Sequence, residues 1–309
     1  GYFLNYRILF TYLQKIKVPI IWTLHDCWIF TGHCAYFDSI DCDKWKDKCT
    51  SCLLKKDYPK SLFIDQSKRN FLLKKKMFTG LDNVTLVPVS HWLESLTKQS
   101  FLKMHSIQTI HNGIDLNTFK PTESSLKELY KLSDASIVLG VSSKGFGGRK
   151  GLSDFIYLAN NLPANYKLIM IGVHPNEIKV IPSNVITIER TNSQRELACF
   201  YSIADVFINP TYSDNFPTTN IEALACGTPV ITYNTGGSPE SLTEEVGIVV
   251  ERGNRAELLS AIMKLCDKDL EQKGITREKC RTRAVSLFDK NDRFNDYLQL
   301  YQKCVNSAR

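Results

Sequence analysis

No apolar run in these 309 residues approaches the ~18 that a membrane-spanning helix requires. The most apolar stretch, Val18 to Leu24, is short, is interrupted by Pro19 and reads as a buried strand. Internal repeats and low-complexity tracts are missing too, which argues against a solenoid, a propeller or a disordered tail. The G-x-x-x-x-G-K-[ST] order of a Walker loop does not occur. Asp-x-Asp occurs as Asp41-Cys42-Asp43 and again as Asp267-Lys268-Asp269. The opening residues lack a signal-peptide pattern. The chain opens at Gly1 inside an aromatic, helix-like stretch of Tyr2, Phe3, Tyr6, Leu9, Phe10 and Leu13, so this reading expects further chain before it.

The composition, 43% hydrophobic and 23% charged, is that of an ordinary globular protein, and the length fits two α/β domains better than one. Charge is unevenly placed. Residues 1–120 hold 17 Lys+Arg against 10 Asp+Glu, and residues 121–309 hold 22 against 22, so the net +7 sits on the first part. A basic face attracts nucleic acid, an anionic membrane or a phosphorylated substrate. Lys74-Lys75-Lys76 taken alone reads as a solvated helix face. Ten cysteines are too few to staple so large a chain as a disulfide scaffold. Cys199, Cys226, Cys266, Cys280 and Cys304 fall at helix-like positions and read as thiols; Cys34, Cys42, Cys49 and Cys52 are clustered.

Strand-like and helix-like runs alternate, the pattern of parallel α/β sheets. The first part gives strands at Pro19–Leu24, Val84–Val89 and about Ser106–Ile110. A polar, Cys- and aromatic-rich insertion spans about 27–59, and a basic amphipathic helix runs from about Leu62 to Phe78. Ser90 caps a helix beginning at His91. Turn signals in Asn112-Gly113-Ile114-Asp115, with Phe119 and Pro121, mark an interdomain link. Strands follow at Ile137–Val141, Lys167–Ile171, Val185–Ile188, Val206–Asn209, Pro229–Tyr233 and Gly247–Val250, with helices near 151–161, 193–203, 219–226, 238–242, 254–266, 275–287 and 291–304. The expected division is 1–112, an N-terminal Rossmann-like domain with too few strands to be whole; 113–287, a second Rossmann-like domain; and 288–309, a helix crossing back to the first.

Two loops carry the chemistry. After the strand ending at Asn209, a polar loop leads through Asp214-Asn215-Phe216-Pro217 into a helix near Thr219 that stops at Gly227. Strand ends followed by helix N-termini are where open α/β sheets bind ligands, and the free N–H groups and dipole there favour an anion such as a diphosphate. Asp214 and Glu222, eight apart, can accept hydrogen bonds from sugar or ribose hydroxyls. Spacing alone favours plainer roles: Thr219-Asn220-Ile221-Glu222 has the form of a capping box, and Asp214 of a solvated loop carboxylate. The second loop, Lys144-Gly145-Phe146-Gly147-Gly148-Arg149-Lys150-Gly151, sets glycines and cations ahead of a helix. It suits a diphosphate or is merely a flexible basic loop.

The Asp214–Glu222 stretch resembles the E-x7-E signature of retaining glycosyltransferases of family 4, which have the GT-B fold. The likeness extends over most of the chain: Ser90-His91-Trp92-Leu93, Asn112-Gly113-Ile114-Asp115, Arg149-Lys150-Gly151, Ala204-Asp205 with Pro210, Gly227-Thr228-Pro229-Val230-Ile231, and Gly236-Gly237 with Glu240. Trp22-Thr23-Leu24-His25-Asp26-Cys27-Trp28 and the residues following, to Cys34, resemble more narrowly the colanic acid and capsular polysaccharide branch. The resemblance implies an α/β GT-B architecture of two Rossmann-like domains facing across a cleft. It assigns Glu222 to the ribose of a nucleotide donor, and Asp214, where the family has Glu, to the donor sugar with Asn215 and Phe216. The backbone N–H groups of Asn215, Phe216 and Thr218 face sugar and diphosphate. Lys150 is the family's phosphate lysine. The family's arginine directly after the strand is replaced by Ser142 or Ser143, so Arg149 supplies the second cation. His25 falls in the cleft near the donor sugar; His33, inside the insertion, is a weaker candidate.

The implied reaction moves a sugar from a UDP- or GDP-linked donor to a glycan or polyprenyl-linked acceptor with retention, in the cytoplasm or at the inner face of the membrane. Contact with an anionic membrane would run through the basic first part; nucleic acid is not an expected partner. With Asp41-Cys42-Asp43 outside the donor half and Asp267-Lys268-Asp269 in a link between two helices, no catalytic metal is expected. The alternatives are a non-catalytic GT-B relative that binds a nucleotide sugar or partner, and more distantly a pyridoxal phosphate-dependent phosphorylase. In the insertion, Cys34-x7-Cys42-x6-Cys49-x2-Cys52 gives either a structural Zn²⁺ site or four unligated thiols packed with Trp28, Phe30, Tyr36, Phe37 and Trp45.

Overall fold

A computed structural model describes residues 5–16, 18–61 and 64–307. Its contacts divide the chain into two units, Gly1–His111 with Arg293–Arg309, and Asn112–Asp292.

In the first unit Asn5 starts the opening helix, α1 (Tyr6–Leu13), by accepting the N–H groups of Arg7 and Ile8; Tyr2 and Phe3 lie outside the described residues. Strand β1 (Ile20–Leu24) leads into the insertion, which contains the one-turn helix α2 (Lys44–Asp47). Helix α3 (Ser67–Phe78), β2 (Val84–Pro88), α4 (His91–Gln99) and β3 (Ser106–Ile107) follow. The three strands form a parallel sheet in the order β1-β2-β3. The predicted third strand is cut short as a strand, yet Gln108 and Ile110 still donate to the Leu86 and Pro88 carbonyls. Phe10, Trp22 and Phe78 pack at ring separations of 4.5 to 5.1 Å, fastening α1 and α3 to β1.

Two expectations in this unit need correction. The helix predicted from Leu62 has its first two residues outside the described residues, and Ile64 to Gln66 are not helical. The Asp65 carboxylate accepts the N–H groups of Ser67 and Cys52, each at 2.8 Å, and this Asx-type turn holds the chain out of the helix until Ser67. Lys74 is not on a solvated face but is 1% exposed. Its Nζ donates to the Trp28 and Thr31 carbonyls and lies 3.4 Å from the Trp28 ring centroid, and burial lowers the ammonium to about 7.

The second unit begins with α5 (Leu126–Leu129), β4 (Ser136–Val141), α6 (Leu152–Asn161), β5 (Tyr166–Ile171), α7 (Pro175–Ile178) and β6 (Ile186–Ile188). It continues with α8 (Gln194–Ile203), β7 (Val206–Asn209), α9 (Thr218–Ala225), β8 (Val230–Tyr233), β9 (Gly247–Val250), α10 (Arg255–Cys266) and α11 (Leu270–Leu287). Its six strands are parallel, in the order β6-β5-β4-β7-β8-β9. Val138, Leu139, Val206 and Phe207 have no exposed surface, as expected of strands covered on both faces. The predicted helix at 238–242 is a 3-10 turn over Ser238–Ser241. Helix α11 starts five residues earlier than its apolar pattern suggests, because the Asp269 side chain caps it through the Gln272 N–H.

Helix α12 (Lys290–Ser307) leaves the second unit at its base. Ile114 pairs with Asp289 as a parallel bridge, and Lys290 Nζ meets Asp115 at 2.7 Å, so the two connecting segments are tied together within the second unit. Farther along, Tyr297 bonds Thr23 of β1 at 3.0 Å, and Leu300 packs with Val87 and Ile110 in the first unit. No helix among the described residues is long and apolar enough to cross a membrane.

Candidate functional site

The order β6-β5-β4-β7-β8-β9 reverses direction of winding between β4 and β7. In open α/β sheets that switch point leaves a crevice at the carboxyl ends of the two strands. The Gly-rich loop leaves β4 and the 210–217 loop leaves β7, so topology alone brings together the two segments that sequence marked out.

Contacts stitch the loops to each other. Tyr212 donates its N–H to the Arg149 carbonyl at 2.8 Å, and Thr211 Oγ1 bonds the same oxygen at 3.3 Å. Arg149 Nη1 returns to the Ser213 carbonyl. Lys150 Nζ lies 2.5 Å from Asp214 Oδ2, both side chains being mostly buried. Two glycines permit this approach. A Cβ on Gly151, at φ +78°, would come within 2.4 Å of the Pro210 carbonyl oxygen, and one on Gly236, at φ +54°, within 1.7 Å of the Asp214 carbonyl oxygen.

Helix α9 starts one residue before its predicted N-cap. Its N-cap is Pro217, and no side chain caps it. The capping box expected between Thr219 and Glu222 is therefore absent, and Glu222 lies in the second turn. Its carboxylate instead accepts from Tyr201 Oη at 3.0 Å and from the Thr218 side chain. Burial raises Glu222 above the ordinary carboxylate range, and those two hydrogen bonds only partly oppose the shift. A helix N-terminus without a capping side chain, beside a lysine and an arginine, presents N–H donors and positive charge to an anion.

Each of the remaining predicted residues has a definite place. Asn215 gives its N–H to the Asp214 carboxylate at 2.9 Å, so that donor does not stand open as expected. Phe216 is buried with its ring 5.8 Å from Phe288, and its carbonyl accepts from Asn112. The linker asparagine thus holds the site loop. Ser142, one of the two serines read at the family's arginine position, bonds the Gly145 carbonyl and so shapes the Gly-rich loop. Arg149, Lys150, Asp214, Asn215, Phe216, Thr218 and Glu222 all lie on the loops after β4 and β7 or on α9. His25, exposed after β1, and His33, in the insertion, belong to the first unit.

Sequence reasoning missed two supports. Glu177 accepts the N–H groups of Phe146 at 3.0 Å, Gly147 at 2.6 Å and His174 at 2.9 Å. Burial acts to raise Glu177, but these donors hold it below the ordinary range. The Phe146 and Gly147 amides of the loop read as a phosphate cradle are thus taken up by a carboxylate. Asp154, with no exposed surface, accepts from Tyr212 Oη at 3.1 Å, Tyr233 Oη at 2.9 Å and Arg255 Nε at 2.9 Å, which anchors the 210–213 loop from below. Glu177 and Asp154 follow no motif; only tertiary placement reveals them.

The four clustered cysteines line one small cavity with His33, and all ten cysteines are free thiols. The insertion also buries an aromatic core of its own, with Trp45 5.2 Å from both Phe30 and Phe37.

Known proteins bear on this site. Residues 137–285 match the family described as glycosyl transferases group 1. The chain is similar to a protein of Escherichia coli (strain K12) named for colanic acid biosynthesis, the glycosyl transferase WcaC. The two are 24% identical over 98% of this chain and 74% of that protein. It is 29% identical to the capsular polysaccharide biosynthesis glycosyltransferase CapM of Staphylococcus aureus over 51% of this chain, but that stretch is only 44% of CapM. Among solved structures, Anabaena HepE in complex with UDP and glucose aligns over 92% of this chain and 71% of its own at TM-score 0.68 and 16% identity. Sucrose-phosphate synthase from Thermosynechococcus elongatus aligns over 83% of this chain and 67% of its own at TM-score 0.68 and 23% identity. The match to group 1 glycosyl transferases thus falls within the second unit, and the fold of the chain is GT-B.

Proposed function

We propose that this chain transfers a sugar from a UDP- or GDP-linked donor to a hydroxyl of a glycan or polyprenyl-linked glycan, with retention, in the assembly of a surface polysaccharide. The observation that carries the reading is the Lys150–Asp214 pair at the switch point, beside an α9 N-terminus that no side chain caps. The names of WcaC and CapM support the pathway, and the UDP and glucose in HepE support the donor class.

On this reading the ribose hydroxyls donate to Glu222. The diphosphate meets Lys150, Arg149 and the first N–H groups of α9, and Asp214 accepts from the donor sugar. As the anomeric bond breaks through an oxocarbenium-like state, negative charge grows on the diphosphate where those cations and dipoles already point, and no reorganisation is needed at that moment. The acceptor attacks on the face the diphosphate leaves, and a phosphate oxygen takes its proton. Because the cations and α9 carry the charge, the scheme uses no catalytic metal. His25 is assigned to the donor sugar. The basic surplus of residues 1–120 is assigned to an anionic membrane surface carrying the acceptor.

A thermal-shift screen of UDP-, GDP- and ADP-sugars followed by an assay of donor hydrolysis tests the proposal. A stabilising donor that is also turned over is the expected result. One observation favours a second reading, a donor-binding protein without transferase activity: Asp214 is one methylene shorter than the family's Glu and is already paired with Lys150. Stabilisation without hydrolysis or transfer would select that reading.

A further inference from the structure

The insertion between β1 and α3 belongs to no step of the proposed reaction, yet it is the most specifically built loop of the first unit. Cys34, Cys42, Cys49 and Cys52 all line a single cavity of about 20 Å³, which Phe37 and Trp45 also line. That is room for one small ion or one water. Thiolates are the preferred ligands of a soft d¹⁰ cation. His33 lines the same cavity, and its Nε2 is buried without a hydrogen-bond partner.

The backbone around the cysteines is shaped to present them. Asp41 and Ser51, the residues immediately before Cys42 and Cys52, both have left-handed φ, at 48° and 50°. For residues other than glycine that conformation is disfavoured by contact of Cβ with the backbone. Backbone N–H groups point at two of the sulfurs, that of Gly32 at Cys49 and that of Leu54 at Cys52. Gly32 is also confined: a Cβ there would meet the Ser67 carbonyl oxygen at 2.2 Å and Cys49 Cβ at 2.7 Å.

We propose that Cys34, Cys42, Cys49 and Cys52 bind one Zn²⁺ as a structural tetrathiolate, with His33 Nε2 donating to one of the sulfurs. Binding displaces the four thiol protons and forms four Zn–S bonds, leaving no open position, so the metal shapes the insertion and activates no water. Cys34 and Cys52 already bond each other through their side chains. The cluster is spread wider than a closed tetrathiolate, since no three of its sulfurs lie within 4.8 Å of one another. With Zn–S near ~2.3 Å the sulfurs would stand about 3.8 Å apart. Ligation therefore draws them inward, into the cavity they line.

Protein purified without chelator, and protein refolded with added zinc, would be analysed for metal by mass spectrometry. About one equivalent of zinc is expected, falling several-fold in Cys42→Ser and Cys52→Ser and staying unchanged in Cys199→Ser on α8. Should the ligand variants fail to fold, cobalt loading of the wild-type protein decides, because a tetrahedral tetrathiolate gives an intense sulfur-to-cobalt charge-transfer band with visible d–d bands. Less than about a tenth of an equivalent of zinc in both preparations would overturn the proposal. So would a cobalt spectrum without thiolate bands, or a Cys34–Cys52 disulfide found by peptide mapping of the native protein.

Discussion

Glu222 is a carboxylate held where its charge is disfavoured until something donates to it. Burial raises it above the ordinary range. A carboxyl raised on folding contributes stability that is present below its unfolded value and is lost as pH rises through the folded one. Glu222→Gln should therefore leave the free protein as stable as wild type at low pH and more stable above the carboxylate range, which melting curves against pH would reveal. Ribose hydroxyls favour the ionised form, so donor binding should release a proton just above the ordinary carboxylate range, and the release should vanish in Glu222→Gln. The same variant should bind donor about tenfold or more weakly, since a charge-assisted bond contributes about 1.5–3 kcal/mol. Wild-type affinity would leave Glu222 a structural residue bonded to Tyr201. Asp214 and Glu222 were legible only as a pair eight apart; their spacing fitted a capping box as well as a binding site. The box fails because Pro217 takes the cap and moves Glu222 into the second turn, a shift of two residues that sequence periodicity does not resolve.

At the scale of elements, the site rests on two anchors that no motif announces. Glu177 holds the Phe146 and Gly147 amides from α7, a single-turn helix with too little apolar pattern to be read from sequence. Glu177→Ala should speed hydrogen exchange at Phe146 and Gly147 about tenfold or more and raise the KM for donor while changing kcat little. Unchanged exchange would show that the loop is fixed by its glycines and Ser142 alone. Asp154→Leu should lower stability by about 2–4 kcal/mol, because it strands two tyrosine hydroxyls and Arg255. A denaturant midpoint equal to wild type would contradict the network. The strands around these anchors were plain in sequence: Val206–Asn209 and Gly247–Val250 fall where their apolar runs end at turn residues. The ends that were misjudged, at Ser67 and Leu270, are set by Asp65 and Asp269 side chains closing on nearby N–H groups, a local contest that apolar periodicity does not register.

For the whole molecule, the alternation of strands and helices predicted two parallel α/β layers, and the second unit shows the order that creates a switch point between β4 and β7. The order itself was not in the alternation; it was implied by family resemblance and by the chemistry of the loops after Val141 and Asn209. In the insertion, the aromatic residues read as packing partners of the thiols do pack together at Phe30, Phe37 and Trp45, which converge from distant positions along the loop. The account's central claim is that the switch point binds a nucleotide diphosphate. Calorimetric titration of UDP and GDP into wild type and Lys150→Ala tests it most directly. The account predicts that at least one nucleotide binds wild type with one site per chain, and that Lys150→Ala binds it about 10- to 100-fold more weakly. Equal affinity for both proteins, or binding of neither nucleotide by folded wild type, would contradict it.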